Sequence, residues 1–481
     1  MLDLRPVLFV VGLLLSVLAV AMIVPALVDL VAGHPDWQVF AASFAVTLFV
    51  GVALMLTTRA GWSRFTLRQG FLMTTLAWLV TATFGALPFA FSELQLGFTD
   101  AFFESMSGVT TTGATVIVGL DQAPPGILLW RAILQWLGGI GIIVMAVAVL
   151  PMLQVGGMQL FRVEAFDTDK VMPRAAAIAG GIGLVYIAMT AIAAMILAYL
   201  GMGAFDAVAH AMTSIATGGY STRDGSIGHF DSVAIDYAIC VFMILGSVPF
   251  VLYLRAVRGD LLALLRDTQV RWMLAILAAA ITILVIELTR NEIMNAGDSL
   301  RYATFNAISI MTGTGYATTA FDTWGGFAMS MFFMLMFIGG CAGSTTCGIK
   351  IFRFQVLGAI AGAQLKRLMQ PNGVFIPYYN GRPIPEGVSI SVMSFFFFFA
   401  ATFGLLSVGL GLIGLDFVTA LSGAASAIAN VGPGLGEIIG PAGTYAPLPD
   451  AAKWLLSAGM LLGRLELFTV LVLFMPHFWR S

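Results

Sequence analysis

The stretch SGVTTTGATV, Ser107–Val116, lies between two apolar segments of the chain. Three threonines and a glycine stand where a helix must either continue or end in water. Two readings compete: an ordinary outward turn, or a polar backbone strand lining a path through a membrane. Gly, Ser and Thr are common turn formers, so one such tract alone reads as a turn. The rest of the chain decides the matter.

The 481 residues are 59% hydrophobic and only 10% charged, with a mean hydropathy of +0.96. That composition belongs to polytopic membrane proteins. A span needs about 20 apolar residues, because ~30 Å of hydrocarbon is crossed at about 1.5 Å per residue. Hydropathy predicts ten spans, at 6–31, 38–58, 70–92, 127–152, 182–203, 233–257, 271–289, 327–360, 388–413 and 454–478. The first is too long for a cleaved signal peptide and reads as a retained span. The eighth is too long for one crossing and contains GGCAGSTTCGIK, Gly339–Lys350, a tract that breaks a helix.

A net charge of -2 points away from nucleic acid. Cys240, Cys341 and Cys347 lack framework spacing, and no Cys/His cluster reads as a metal site. GLGLIG, Gly409–Gly414, matches GxGxxG by letter but ends an apolar span with no strand before it. No nucleophile–base set or phosphate loop appears. The expectation is no enzyme and no bound organic cofactor. The longest inside segment, 361–387, is too short for a nucleotide-binding domain, so nucleotide control would come from another polypeptide.

With a cytoplasmic N-terminus, the inside segments collect Arg5, Arg59, Arg64, Arg68, Arg162, Lys170, Arg174, Arg255, Arg258, Arg266, Arg271, Lys350, Arg353, Lys366, Arg367, Arg382 and Arg480. The excess of inside Lys and Arg predicts a multi-pass protein with both termini cytoplasmic.

Four outward tracts then share one layout: TTTGAT at 110–115, ATGGYS at 216–221, TGTGYA at 312–317 and ANVGPG at 429–434. Each follows a segment such as DAFFESMSGVT or RYATFNAISIMT, too short to cross at about 1.5 Å per residue. Aligned on Gly113, Gly219, Gly315 and Gly432, they carry a hydroxyl six residues earlier, at Ser107, Thr213, Ser309 and Ser426. Three residues earlier stands a small residue, Thr110, Ala216, Thr312 or Ala429. A fourfold internal repeat describes this pattern. Each short segment descends as a half-helix and returns as bare backbone, which lipid does not tolerate but an aqueous path does. Stacked carbonyls from four strands can replace the water around a monovalent cation. Glycine supplies conformations that a Cβ forbids, and the half-helix C-termini turn partial negative charge toward the path.

The expected fold is therefore an all-α polytopic membrane protein. It has four helix–pore-loop–helix repeats around one pore, plus two extra N-terminal transmembrane helices. The divisions are 1–65 for that helix pair, 66–160, 161–262 and 263–370 for the first three repeats, and 371–481 for the fourth. Ion-contacting backbone is expected at Thr110, Thr111, Thr112 and Gly113; at Ala216, Thr217, Gly218 and Gly219; at Thr312, Gly313, Thr314 and Gly315; and at Ala429, Asn430, Val431 and Gly432.

Taken together, FFESMSGVTTTGATV, QWLGGIGIIV, IATGGYST, GGCAGSTTCGIKIFR and GRLELFT resemble the Trk/Ktr/HKT superfamily of potassium transporters. The resemblance is closest to the bacterial Trk-type membrane subunit and covers essentially the whole chain. It implies one filter glycine per repeat, K+ as the transported ion, and residence in the bacterial cytoplasmic (inner) membrane among membrane lipids. It also implies a homodimer and a cytoplasmic, nucleotide-binding regulatory ring subunit that controls opening. The filter glycines carry over to Gly113, Gly219, Gly315 and Gly432. The gating loop carries over to Gly339–Gly348, and the pore-facing arginine to Arg464. Glycine in all four tracts favours potassium; NVGPG departs most from the TVGYG pattern.

Arg464 lies midway along the last span, where a charge costs about 2.5–3.5 kcal/mol on insertion scales. It reads as a positive charge beneath the tracts that raises the barrier to cations, or as an ion-pair partner of Glu466 or Glu104. Glu466, two residues on, occupies a different helix face. The GGCAGSTTCGIK tract reads as a kinked helix or as a hinged plug, since glycine resists helix formation. As a gate it comprises Gly339, Gly340, Gly343, Ser344, Thr345, Thr346, Gly348 and Lys350, the last anchoring the loop or meeting the regulatory subunit. Glu104 and His210 share one repeat offset and read as braces behind the strands or as plain core residues. The phenylalanine run at 395–399 reads as a lipid- or helix-facing surface. The favoured function is potassium uptake driven by membrane potential and gated from the cytoplasm. The alternative is a carrier coupling K+ to Na+ or H+ movement, such as symport; carriers usually show inverted repeats, whereas these repeats all open outward.

Overall fold

Apolar runs in this chain become helices because only helices and closed barrels satisfy the backbone within lipid. The computed structural model describes residues 3–59, 66–148 and 171–480. Arg64, Arg162 and Lys170, and the expected divisions after 65 and 160, lie outside the described residues. Among the described residues, seven helices are long and apolar enough to cross a membrane, and two bent pairs raise this to nine. The remaining expected span is interrupted, with Gly326–Phe337 ending before the glycine-rich tract and Ile351–Met369 resuming after it.

The two bent pairs correct the sequence expectation of continuous spans at 233–257 and 454–478. Val233–Ser247 meets Phe250–Val257 at 95°, and Asp450–Arg464 meets Phe468–Phe474 at 108°. Pro249 lacks the N–H that would continue the first ladder. Glu466 and Leu467 sit at φ 60° and 47°, a left-handed conformation that ends the second. The phenylalanine run serves both expected surfaces: Phe395 and Phe399 are buried, while Phe397 and Phe398 face outward.

Four short helices fill the centre: Phe98–Val109, Ala204–Ile215, Ala296–Met311 and Phe417–Ala429. The longest has 16 residues, about 24 Å at the helical rise and so less than a full crossing. Asn295 caps the third, accepting from Asp298 N at 2.9 Å, and Asp416 caps the fourth, accepting from Thr419 N at 3.0 Å. Hydrogen bonds from Thr419 hold the Asp416 carboxyl below its ordinary value. Asp100 and Asp206 occupy the first turns of the other two, where the helix dipole favours negative charge.

The N-terminal helices Arg5–Ala32 and Trp37–Thr57 pack on each other through small residues; a β carbon on Gly12 would lie 2.7 Å from Gly51 O. Asp29 ties this pair to the span Pro125–Ala148 by accepting from Gly126 N at 2.6 Å.

A buried ion pair within the first repeat also reaches the second. Arg131 Nε donates to Glu104 at 2.8 Å, and Arg131 Nη1 donates to Ser221 O of the second repeat at 2.7 Å. The guanidinium also lies 4.0 Å from the Tyr220 ring centroid. The Glu104 carboxylate accepts further from Val116 N and Thr115 Oγ1. Removing one partner of such a buried pair typically costs about 3–5 kcal/mol, because the other charge is stranded. Arg131→Met should therefore lower the thermal unfolding midpoint in detergent, with part of the loss recovered by adding Glu104→Gln. An unchanged midpoint for Arg131→Met would show that the pair contributes no stability.

Candidate functional site

The four tracts meet. A β carbon built on Gly113 would lie 2.3 Å from Gly218 O, and on Gly219 1.7 Å from Thr314 O. On Gly315 it would lie 2.0 Å from Val431 O, and on Gly432 2.7 Å from Thr112 O. Each glycine thus abuts the carbonyl just before the next repeat's glycine, and the fourth returns to the first. The strands close into a ring.

Their backbone repeats as well. All four glycines have positive φ: 86°, 76°, 79° and 108°. Two residues earlier, Thr111, Thr217, Gly313 and Asn430 also adopt positive φ, turning the chain out of its half-helix. The residue before each glycine donates its N–H back to the carbonyl five residues earlier. These bonds are Thr112 to Ser107 and Gly218 to Thr213 at 2.8 Å, Thr314 to Ser309 at 2.9 Å, and Val431 to Ser426 at 3.0 Å. The register chosen on the glycines is thus the register of the backbone.

Side chains hold the strands from behind. Glu104 accepts from Thr115 and Val116, and His210 Nε2 is 2.9 Å from Ser221 Oγ. Asn306 does the same for the third repeat, bonding Thr318 Oγ1 and N. It shares the offset of Glu104 and His210, a signal present in the sequence but passed over. Tyrosines add a second layer. Tyr220 donates to Glu104 O and Ala114 O, the Tyr316 and Thr213 hydroxyls are bonded, and Tyr445 donates to Gly432 O at 2.8 Å. Tyr445 lies beyond its tract, where no motif marks it.

The Gly339–Lys350 tract is a loop, not a kinked helix. Its ends are joined by a parallel bridge between Ile338 and Ile349, and Gly343 and Gly348 have φ of 77° and 68°. The broken span beside it exposes the Gly246 and Ser247 carbonyls. Thr345 N and Oγ1 donate to the first, and Cys341 N donates to the second. The Thr345 hydroxyl also meets Thr217 Oγ1 at 3.0 Å, which sets the loop directly against the second strand. Within it, Gly340 N donates to Thr346 Oγ1, Ser344 Oγ bonds Cys341 O and Thr346 Oγ1, and Lys350 Nζ reaches back to Thr346 O.

Arg464 pairs with neither expected glutamate. Glu466 is bonded to Arg353 and Glu104 to Arg131. Arg464 Nη1 instead donates to Thr345 O at 3.0 Å and lies 2.5 Å from Cys347 Sγ, while Nη2 donates to Gly138 O at 2.9 Å. It bolts the loop to the first repeat. The four tracts, the loop and Arg464 therefore form one buried cluster. Among the described residues no group of three or more His, Cys, Asp or Glu could hold a metal.

The family model described as TrkH, cation transport protein, matches residues 36–481. The chain is 48% identical over 478 residues to the Trk system potassium uptake protein TrkI of Halomonas elongata, covering 99% of this chain and 97% of that one. It is 39% identical over 483 residues to the potassium uptake protein TrkH of Escherichia coli K12, covering 99% of both. The crystal structure of the potassium transporter TrkH from Vibrio parahaemolyticus superposes with a TM-score of 0.93 at 38% identity, over 100% of each chain. With ring, loop and full-length likeness in agreement, the chain belongs to the TrkH family of cation transport proteins.

Proposed function

We propose that this protein takes up potassium across the bacterial cytoplasmic membrane, down the membrane potential, through the ring formed by Gly113, Gly219, Gly315 and Gly432. The observation that carries the reading is the cyclic abutment of each glycine on the next strand's carbonyl. Four backbone strands held at contact leave room for a bare monovalent cation and replace its water with peptide oxygens. The relatives named above are potassium uptake proteins. Both termini lie in the cytoplasm on this reading, from the charge distribution, and the repeats divide at 66–160, 161–262, 263–370 and 371–481.

The loop and Arg464 act as the gate. Arg464 holds the loop closed by donating to the Thr345 carbonyl, and glycines at 339, 340, 343 and 348 let the loop leave. A homodimer and a cytoplasmic, nucleotide-binding ring subunit complete the working assembly. The chain's own inside segments are too short to house a nucleotide domain, which supports control in trans. Three buried acidic groups around the ring and the loop are committed to arginines: Glu104 to Arg131, Asp236 to Arg301 and Glu466 to Arg353. That leaves a poor proton relay and favours conduction over a carrier coupled to H+.

Rubidium uptake by the purified protein in liposomes, at set voltage and with competing Na+, tests the reading. Flux should follow voltage without a coupled second ion. Gly315→Ser puts a β carbon against Val431 O, and Gly113→Ser puts one against Gly218 O. Each should lower K+ preference over Na+ by about tenfold, equivalent to ~1.4 kcal/mol in relative binding. Unchanged selectivity would remove that glycine from the filter. Deleting residues 344–347 should raise basal rubidium flux, as should Arg464→Ala to a smaller degree; an unaltered basal rate would mean that the loop only packs.

A further inference from the structure

The four strands are not braced alike, and the difference follows a pattern. In the first repeat, the hydroxyls of Thr110 and Thr112 bond each other at 2.8 Å; in the third, those of Thr312 and Thr314 do so at 2.8 Å. These threonines stand three residues and one residue before the ring glycine. The second and fourth repeats have no hydroxyl at either place: Ala216 and Gly218, Ala429 and Val431. In the fourth, the amide of Asn430 bonds instead to Thr112 Oγ1 at 2.8 Å and Met460 O at 2.9 Å. In the second, an amide arrives from another element altogether.

That amide is Gln135, fully buried on the span Pro125–Ala148. Its Nε2 donates to Gly218 O at 2.5 Å, and its Oε1 accepts from Tyr220 N at 3.0 Å. The two bonds straddle Gly219. They also fix which end of the amide is which, since a carbonyl needs a donor and an N–H needs an acceptor. Gly218 O is the very oxygen that abuts Gly113 across the ring. A β carbon on Gly218 would lie 2.4 Å from the Gln135 Cδ, so the absence of a side chain there is what admits the amide. The equivalent level of the other spans can be read from Gly138, Gly246 and Gly463, whose built β carbons meet Val109 O, Ile215 O and Ile428 O at the ends of the pore helices. Three residues before them stand Gln135, Met243 and Met460, so of these three repeats only the first carries an amide at that level.

We propose that Gln135 is a positioning residue for ion selectivity, holding the Gly218 carbonyl and the Tyr220 amide of the second strand in place of the hydroxyl pair that the first and third strands carry. The inference rests on the filter reading above. Without the amide, the Gly218 peptide is free to rotate, and one of the four junction oxygens loses its fixed direction.

Gln135→Met is the direct test, because methionine occupies the equivalent position in two other repeats and matches the volume. The purified variant is reconstituted and compared with the unmodified protein for rubidium flux with competing Na+. The expected result is a fall of about fivefold in K+ preference over Na+, the factor one net hydrogen bond carries, with an unchanged gel-filtration profile. Gln135→Leu, shorter than methionine and with neither donor nor acceptor, removes both bonds and should shift the ratio too, including where the methionine variant fails to fold. The triple variant Gln135→Ala, Ala216→Thr, Gly218→Thr rebuilds the hydroxyl pair and should regain part of the preference. Unchanged selectivity in Gln135→Met, or in Gln135→Leu, overturns the proposal. Gly315→Ser run alongside separates the two levels. If it too leaves the ratio unchanged, the filter reading fails; if it alters the ratio while the Gln135 variants do not, only the brace fails.

Discussion

A peptide group inside a membrane must find a hydrogen-bond partner, line water, or not be there. The departures from helix around the ring, the loop and the two bent spans answer to that constraint. The four half-helices end short of a crossing and release bare strands, and those strands survive because they face one another around a closed ring rather than lipid. Closure requires contact between backbones, which is why a side chain is excluded at the four glycines and why both φ and steric space demand glycine there. The same rule explains the two sharp breaks. The first exposes the Gly246 and Ser247 carbonyls, and the loop between Phe337 and Ile351 supplies N–H groups to both. The second lies at Arg464, whose guanidinium donates across to the loop and to Gly138 O. Broken helix and broken span satisfy each other.

Much of this was legible in the sequence, for a physical reason. Hydropathy reports burial in lipid, so the spans emerge from summed composition, and a helix-breaking tract inside an overlong span announces itself through glycine. Register among the four tracts was legible because only glycine serves where positive φ coincides with a neighbouring strand's carbonyl in the place of a β carbon. What escaped was whatever depends on partners distant in sequence. The breaks at Pro249 and Glu466 escaped because a hydropathy window adds residues without asking where a ladder fails. Arg464 was placed correctly as a buried mid-span charge, yet its partners, two carbonyls more than a hundred residues away, leave no local trace. Arg131 and Gln135 sit on an apolar helix one turn apart and look like tolerated polar residues until the second repeat's strand is folded against them. Asn306 could have been found, since its offset from Gly315 equals that of Glu104 from Gly113.

The buried polar side chains of the centre divide by what they hold. Arg131, Glu104, His210, Asn306 and the three tyrosines fix the strands and short helices to each other, through bonds that do not include the loop. Thr345, Thr346, Lys350 and Arg464 fix the loop. The two groups touch at few points, among them the Thr345 hydroxyl against Thr217 and the Arg464 bond to Gly138 O. If, as proposed, the ring sets selectivity and the loop moves, that separation keeps the moving element from carrying the ring with it.

Arg464 gains a second role from this arrangement. Read from sequence, it is a repulsive charge beneath the ring. In the structure its charge is turned to carbonyl dipoles, one on the loop and one on the first repeat's span, which stabilise a cation without a counter-ion. On the proposed gating reading, moving the loop away removes the Thr345 carbonyl but leaves that of Gly138, so the arginine keeps an acceptor in either position. Such a residue can release the loop without being stranded itself, which a glutamate ion pair in the same place could not do. On the proposed reading, Glu466 is paired with Arg353 rather than Arg464 for this reason: the charge at the gate is held by neutral acceptors, and the formal ion pair is kept at the break behind it.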